Sequence, residues 1–160
     1  MKTAIYPGSF DPMTLGHLDI VRRGMQLVDH VVIAVISNLE KNPLFSIKER
    51  VDLIKECTHE FGDRVSVKSF SGLLVDFVKQ EKVPVILRGL RVFSDFEYEF
   101  SMALTNRHLA PDIETIFLMT DYKYSYLSSQ NVKQVAKLGG DVSQMVPGPV
   151  LKKLAKEFKK

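Results

Sequence analysis

Apolar residues along this chain switch repeatedly between two spacings. Five short runs are rich in β-branched and large apolar residues and read as strands: residues 3–6 (TAIY), 30–37 (HVVIAVIS), 64–70 (RVSVKSF), 83–89 (VPVILRG) and 114–120 (ETIFLMT). Three of them are nearly continuous in apolar residues, the mark of strands covered on both faces. RVSVKSF alternates instead and is expected nearer an edge.

Between the runs the spacing becomes helical. Leu18, Val21, Met25 and Val28 form one stripe, and Ile47, Val51, Ile54, Cys57 and Phe61 form another. Ser46 with Glu49 three residues on predicts a capping box for the second helix, and Ser94 with Glu97 predicts another ahead of FSMALTNRHL. Leu74, Phe77 and Val78 mark a further helix, SSQNVKQVAKL opens the next, and Pro149 suits the first turn of a last one carrying Leu151, Leu154 and Phe158. Strand–helix alternation at this spacing requires right-handed crossovers. The expected fold is therefore α/β: a Rossmann-like, doubly wound sheet of five parallel strands with C-terminal helices. In that architecture ligands bind beyond the carboxyl ends of the strands.

Composition changes this picture little. With 160 residues the expectation is one domain. The net charge of +3 is concentrated in KKLAKEFKK, whose five lysines and one glutamate leave the rest of the chain near neutral. That distribution suits a solvated helix face and argues against a nucleic-acid partner. One cysteine, Cys57, falls on an apolar stripe and reads as core filler in a reducing compartment. No apolar run is long enough to span a bilayer, and the start of the chain does not resemble a signal peptide, so no membrane role and a cytoplasmic location are expected.

The strand ends carry the chemistry. The first ends in YPGSFDPMTLGH, where Gly8 and Gly16 offer backbone freedom, Ser9 offers a hydroxyl and His17 stands at a helix N-terminus suited to phosphate. A rigid turn with Thr14 and His17 as caps is the plainer reading of the same residues. The second end brings Lys41. The fourth, RGLR, brings Arg88 and Arg91, which suit an anion; they can also pair with Asp95, Glu97 and Glu99 close behind, and both can hold, since such acids could orient the arginines or bind a ribose. The fifth leads through Tyr122, Tyr124 and Tyr126 to Ser128 and Ser129 at a helix start. Neither GxGxxG nor GxxxxGK[ST] is present, and no Ser–His–Asp order or metal-ligand spacing stands out. His30, His59 and His108 read as structural or surface residues. Phosphoryl or nucleotidyl transfer, driven by position and charge, is the chemistry these ends suggest.

GSFDPMTLGH, RGLRVFSDFEYE, TNRHLAP and YLSSQNVKQVA, taken in order, resemble the bacterial phosphopantetheine adenylyltransferases, within the nucleotidylyltransferase superfamily marked by T-x-G-H or H-x-G-H. The resemblance spans residues 1–160 as a single nucleotidylyltransferase domain. It implies transfer of AMP from ATP to 4'-phosphopantetheine, Mg²⁺ carried by phosphates and water, a homohexamer built as two trimers, and feedback binding of coenzyme A. It also implies roles. Ser9, Phe10, His17, Gly89, Leu90, Arg91, Glu99 and the stretch Tyr124, Ser125, Tyr126, Leu127, Ser128, Ser129 and Gln130 would bind ATP. Ser9, Lys41, Leu74, Arg88 and Asn106 would bind the acceptor, with His17, Lys41, Arg88 and Arg91 carrying catalysis. Phe93, Phe96 or Phe100 would help bury an interface of that hexamer, with helix packing the equal alternative for any one of them. Ser9 stands where threonine is commoner, Gln130 where a third serine is frequent, and Gln134 where an acidic residue is frequent. On the residues alone, a related transferase with another phosphorylated acceptor, or a non-catalytic nucleotide-binding protein, remains open.

Overall fold

A computed structural model describes residues 1–37 and 42–158, the side chains of Phe93 and Ser94 excepted. Lys41 therefore lies outside the described residues. The elements run β1 (Thr3–Gly8), α1 (Leu15–Gly24), β2 (His30–Ile36), α2 (Ile47–Thr58), β3 (Val65–Phe70), α3 (Leu74–Glu81), β4 (Val85–Leu90), α4 (Phe93–Leu109), β5 (Glu114–Met119), α5 (Ser129–Lys137) and α6 (Gly148–Glu157), with short 3-10 turns at His59–Arg64 and Tyr122–Tyr124. The five strands form one sheet in the order β3-β2-β1-β4-β5, and every pairing is parallel. This is the doubly wound arrangement, with its switch point between β1 and β4.

Strand residues alternate between two cores. Ala4, Tyr6, Val31, Ile33, Val35 and Leu87 meet Leu18, Ile20 and Val21 of α1, Ile54 of α2, and Val132, Val150 and Leu154 of the C-terminal helices on one face. Ile5, Val32, Ala34 and Ile86 meet Val75, Phe77 and Val78 of α3 on the other. Residues of opposite parity on one strand point to opposite faces. Arg88 therefore shares the α3 face with Ile86, and Gly89 shares the α1 face with Leu87. A Cβ at Gly89 would lie 2.8 Å from Cγ1 of Ile20, so glycine lets α1 press directly on β4.

The central pairing is the weakest. β1 matches β2 over six residue pairs but meets β4 in register only at Ile5↔Ile86. Pro7 follows on the same edge of β1, where its missing N–H removes no ladder bond because the ladder has already ended. Its carbonyl accepts instead from Nη1 of Arg88, 2.7 Å away. The crevice at the switch point is thus written into the YPG step.

Several local expectations need revision. β3 is an edge strand, as its alternation predicts. β5, however, is the opposite edge, with Ile116 and Met119 exposed, so its apolar run does not mean cover on both faces. Ser46 and Glu49 form the predicted capping box. The second predicted box does not form: α4 begins at Phe93 with Val92 as N-cap and no side-chain cap, which places Ser94 inside the helix. There Asp95, in the first turn, is engaged by Arg91 four residues earlier. Gly8 has no positive φ, and its bare Cα instead makes room for the Phe10 ring, 2.9 Å from where a Cβ would be. Tyr122 and Tyr126, on the way from β5 to the α5 serines, are exposed. Pro149 sits in the first turn of α6, and Lys153 of that helix bonds Glu49 at 2.6 Å. Cys57 is buried, and burial pushes its thiol up to about 12, which leaves it unreactive. His30 bridges the Asp63 carbonyl and the Ser66 hydroxyl. No helix among the described residues is long and apolar enough to cross a membrane.

Candidate active site

Two cavities meet at the carboxyl ends of β1 and β4. The first, about 400 Å³, is lined by Ser9, Phe10, Thr14, Gly16 and His17 from the loop after β1 and the start of α1. Arg88 and Gly89 line it from β4, Arg91 from just beyond that strand, Asp95, Tyr98 and Glu99 from α4, and Leu127, Ser128 and Ser129 from the approach to α5. The second, about 250 Å³ and more apolar, runs between Leu73, Leu74 and Val75 on one side and Met102, Asn106 and Leu109 on the other. Pro7, Gly8, Arg88, Tyr98 and Glu99 line both. The predicted ATP-site and acceptor-site residues thus fall largely into two adjoining spaces with a common wall.

His17 is the third residue of α1, and its side chain completes a capping box with Thr14. The box is unusual because an imidazole does the work of the customary Glu or Gln. The Thr14 N–H donates to Nδ1 of His17 at 2.9 Å, and Thr14 Oγ1 accepts from the His17 N–H at 3.3 Å. Because Nδ1 accepts from a backbone amide, the ring proton resides on Nε2. Burial, with the guanidiniums of Arg91 and Arg88 nearby, pushes the imidazole down to about 3. His17 is accordingly a neutral donor at pH 7. The Phe10 ring packs edge-on against it with centroids 5.1 Å apart, which leaves the imidazole little room to turn.

The two arginines are held by the same device. Arg88 donates Nε to Glu99 at 2.7 Å and Nη2 to the other carboxylate oxygen, while Nη1 donates to the Pro7 carbonyl. Arg91 donates Nε and Nη2 to Asp95 at 2.9 and 3.1 Å, and Nη1 to the Leu127 carbonyl at 2.6 Å. A guanidinium has five N–H groups. Three are used for anchoring in each case, so each Nη retains one N–H for an anion. The pairing reading of RGLR therefore holds for Asp95 and Glu99, and that pairing leaves N–H groups with which the two arginines could grip an anion. Burial would lower the Arg88 guanidinium, but the Glu99 hydrogen bond and charge more than offset it, so Arg88 remains charged.

The loop after β1 is braced from behind by residues that sequence reading did not single out. Asp11, fully buried, accepts from the N–H groups of Leu44 and Phe45 at 2.8 and 2.9 Å and from Lys133 at 2.9 Å. Burial alone would raise its carboxyl, but the Leu44 N–H, the Lys133 ammonium and the Phe45 N–H together hold it below the usual carboxylate range. Arg50, also buried, donates to the carbonyls of Phe45 and Ser9. A signal for Arg50 was present: a cation three residues after Ile47 and four before Ile54 lies on the inward face of its helix. Asp11 carried none beyond its place in the loop.

Ser128 caps α5 by accepting from Asn131, and the Ser129 hydroxyl donates to the Pro12 carbonyl at 2.7 Å, tying α5 to the first loop. Leu90, Tyr124, Ser125, Tyr126 and Gln130 line neither cavity. Asn106 and Leu74 line the second cavity alone, and Asn106 is buried. Among the described residues no three His, Cys, Asp or Glu side chains converge as metal ligands.

The family described as Cytidylyltransferase-like matches residues 5–135. A phosphopantetheine adenylyltransferase from Clostridium botulinum strain Hall is 54% identical over 158 residues, covering 99% of this chain and 96% of its own. One from Caldanaerobacter subterraneus subsp. tengcongensis is 53% identical over 160 residues, covering 100% and 99%. Among solved structures, the bifunctional NMN adenylyltransferase/ADP ribose pyrophosphatase from Francisella tularensis, complexed with AMP and a Mn ion, aligns with a TM-score of 0.74 at 16% identity. That alignment covers 99% of this chain and 49% of that one, a likeness of fold. With its cavities, its paired arginines and its full-length relatives, the chain belongs to the phosphopantetheine adenylyltransferase family.

Proposed function

We propose that this chain transfers AMP from ATP to 4'-phosphopantetheine, releasing pyrophosphate and forming dephospho-coenzyme A. The observation that carries the reading is the common wall of the two cavities: Arg88 faces both, so an acceptor phosphate on its free N–H groups would lie at the mouth of a nucleotide site. The more apolar second cavity, with Asn106 as a buried polar contact, suits a pantetheine arm with amides.

The attacking phosphate monoester is largely dianionic at neutral pH, since its second pKa is about 6, and needs no general base. Among the described residues none stands ready as one: Nδ1 of His17 is occupied by Thr14, Asp95 and Glu99 are engaged by arginines, and burial holds the Tyr6 hydroxyl protonated. What the reaction needs is in-line placement and relief of repulsion between two polyanions. Arg88, with Lys41, would hold the acceptor phosphate. Nε2–H of His17 and the end N–H groups of Arg91 would donate to α- and β-phosphate oxygens as charge grows on them. Ser9 lines the same cavity from the loop, and the start of α5 would face the nucleotide with Leu127 to Ser129.

Both carboxylates of the first cavity, Asp95 and Glu99, are already engaged by arginines. The residues therefore fit Mg²⁺ brought in on nucleotide phosphates and water, with no protein cage. When bound, the ion supplies charge neutralisation for the leaving pyrophosphate.

We read residues 1–160 as one cytoplasmic transferase domain. A homohexamer of two trimers is part of the same reading, and α4 supports it. Phe96, Phe100 and Leu104 are exposed there, and the first two stack with centroids 5.5 Å apart. Coenzyme A, which resembles the product, would occupy both cavities as a feedback ligand. Pyrophosphate release with ATP and 4'-phosphopantetheine tests the activity, with CTP as alternative donor and nicotinamide mononucleotide as alternative acceptor. Turnover confined to another donor or acceptor, or none at all, would refute it.

A further inference from the structure

We propose that Arg50 and Asp11 are positioning residues that fix the phosphate loop from behind, and through it His17; this rests on the adenylyl-transfer reading above. Neither residue lines a cavity, yet both are charged and almost wholly buried, at 3% and 0% exposed. They form a crossed brace. Arg50 reaches from α2 to the loop after β1, donating Nη1 to the Ser9 carbonyl at 2.8 Å, and it also bonds the Phe45 carbonyl at 3.0 Å. Asp11 reaches from that loop to the segment before α2, accepting from Leu44 and Phe45.

Phe10 sits between the two braced positions with a φ of 48°, a conformation that residues with side chains rarely adopt and hold only when their surroundings impose it. Its ring contacts both Tyr6 and His17, at centroid distances of 5.3 and 5.1 Å. The brace therefore sets the Phe10 backbone, and the Phe10 ring sets the imidazole. Simple stability is a poor account of these charges. Burying ions is costly, and apolar side chains of similar size commonly serve a core equally well. What apolar residues cannot do is hold the backbone groups of the two loops beside the cavity.

Arg50→Lys, which keeps the charge and loses the fork, and Asp11→Asn, which keeps the shape and loses the charge, test the proposal. The measurements are kcat, KM for both substrates and the thermal midpoint. Ile54→Val, a buried α2 substitution away from the cavities, serves as the stability reference. The expected result is a fall in kcat of about tenfold or more with both KM values within about threefold, while Ile54→Val keeps its kcat within about twofold. Parent-like kcat in Arg50→Lys and Asp11→Asn overturns the proposal, as does a rate in Ile54→Val that falls in step with its midpoint. If the first two variants do not fold, Lys133→Met, which removes one donor from Asp11, carries the test. Lowered kcat at unchanged KM supports the brace, and unchanged kcat overturns it. A parent inactive with ATP and 4'-phosphopantetheine refutes the adenylyl-transfer reading and this proposal with it, an outcome distinct from an active parent matched by its variants.

Discussion

The backbone N–H of Thr14 points at Nδ1 of His17 from 2.9 Å and so decides which ring nitrogen faces the cavity with a proton. Removing one such donor from a preorganised site commonly costs about 100- to 1000-fold in rate. His17→Ala should therefore fold and bind ATP while its single-turnover transfer rate drops by about that factor. Loss of the reciprocal cap should lower stability by about 1 kcal/mol. A purely structural His17 predicts the reverse, a destabilised protein with near-normal chemistry in its folded fraction. Transfer rate, ATP affinity and melting midpoint on one preparation separate the two.

The imidazole also makes a statement about pH. Its pKa falls from 6.5 to about 3 on folding, so between those values the unfolded chain binds more protons than the native one. Stability from this group is fully present above pH 6.5 and is lost as pH falls toward 3. Urea unfolding of parent and His17→Gln across that window should show a shallower pH slope for the variant. The kcat profile of the parent should carry no limb near pH 6.5 that disappears in His17→Gln, and finding one would contradict the neutral-donor assignment.

Arg88→Lys separates the two cavities functionally. Lysine keeps a positive charge but cannot donate side-on to Glu99 and end-on to a phosphate together. Acceptor affinity should weaken by about tenfold or more, with ATP affinity within about threefold of the parent. Calorimetric titration of each ligand checks this, and matched acceptor isotherms would remove Arg88 from the acceptor site.

Gly89→Ala tests the close approach of α1 to β4. The added Cβ would lie 2.8 Å from Cγ1 of Ile20, so the Ile20 side chain or the helix that carries it and His17 must shift. Overpacking of this kind costs about 1–3 kcal/mol. The urea midpoint should fall and turnover should fall with it. A midpoint unchanged from the parent would mean that Ile20 has more freedom than the packing implies.

Phe100→Glu addresses assembly. Sedimentation of the parent at micromolar concentration should give a mass several times the 18.2 kDa chain. A charge placed on the exposed apolar face of α4 should reduce that mass, because an unpaired carboxylate resists burial. A parent that sediments as a monomer ends the hexamer proposal.

Much of this architecture was legible because it depends on local pattern. Alternation of strand and helix fixed the sheet class, and YPGSFDPMTLGH and RGLR marked the strand ends that converge. What could not be read depends on distant partners. Ser94 and Glu97 fit a capping template, but the pairing of Arg91 with Asp95 places that segment inside a helix turn that begins earlier. ETIFLM looks doubly buried by composition, yet a strand's neighbours, not its residues, decide whether it is an edge. Lys133 meets Asp11 across 122 positions of sequence, a separation at which no spacing rule applies.

The break in pairing between β1 and β4 after Ile5↔Ile86 has an energetic corollary. An empty cavity in an apolar core costs about 24 cal/mol per Å³, so an enclosed void of about 400 Å³ would forfeit about 10 kcal/mol, a sum comparable to the whole stability of a typical domain. Here the space lies where two strands part company and is open to water, so the penalty of an enclosed apolar void does not apply. Exposed wall residues such as Tyr98 can therefore be exchanged without opening the packed layers, whereas Phe10, Ile20 and Leu127 belong to wall and core at once.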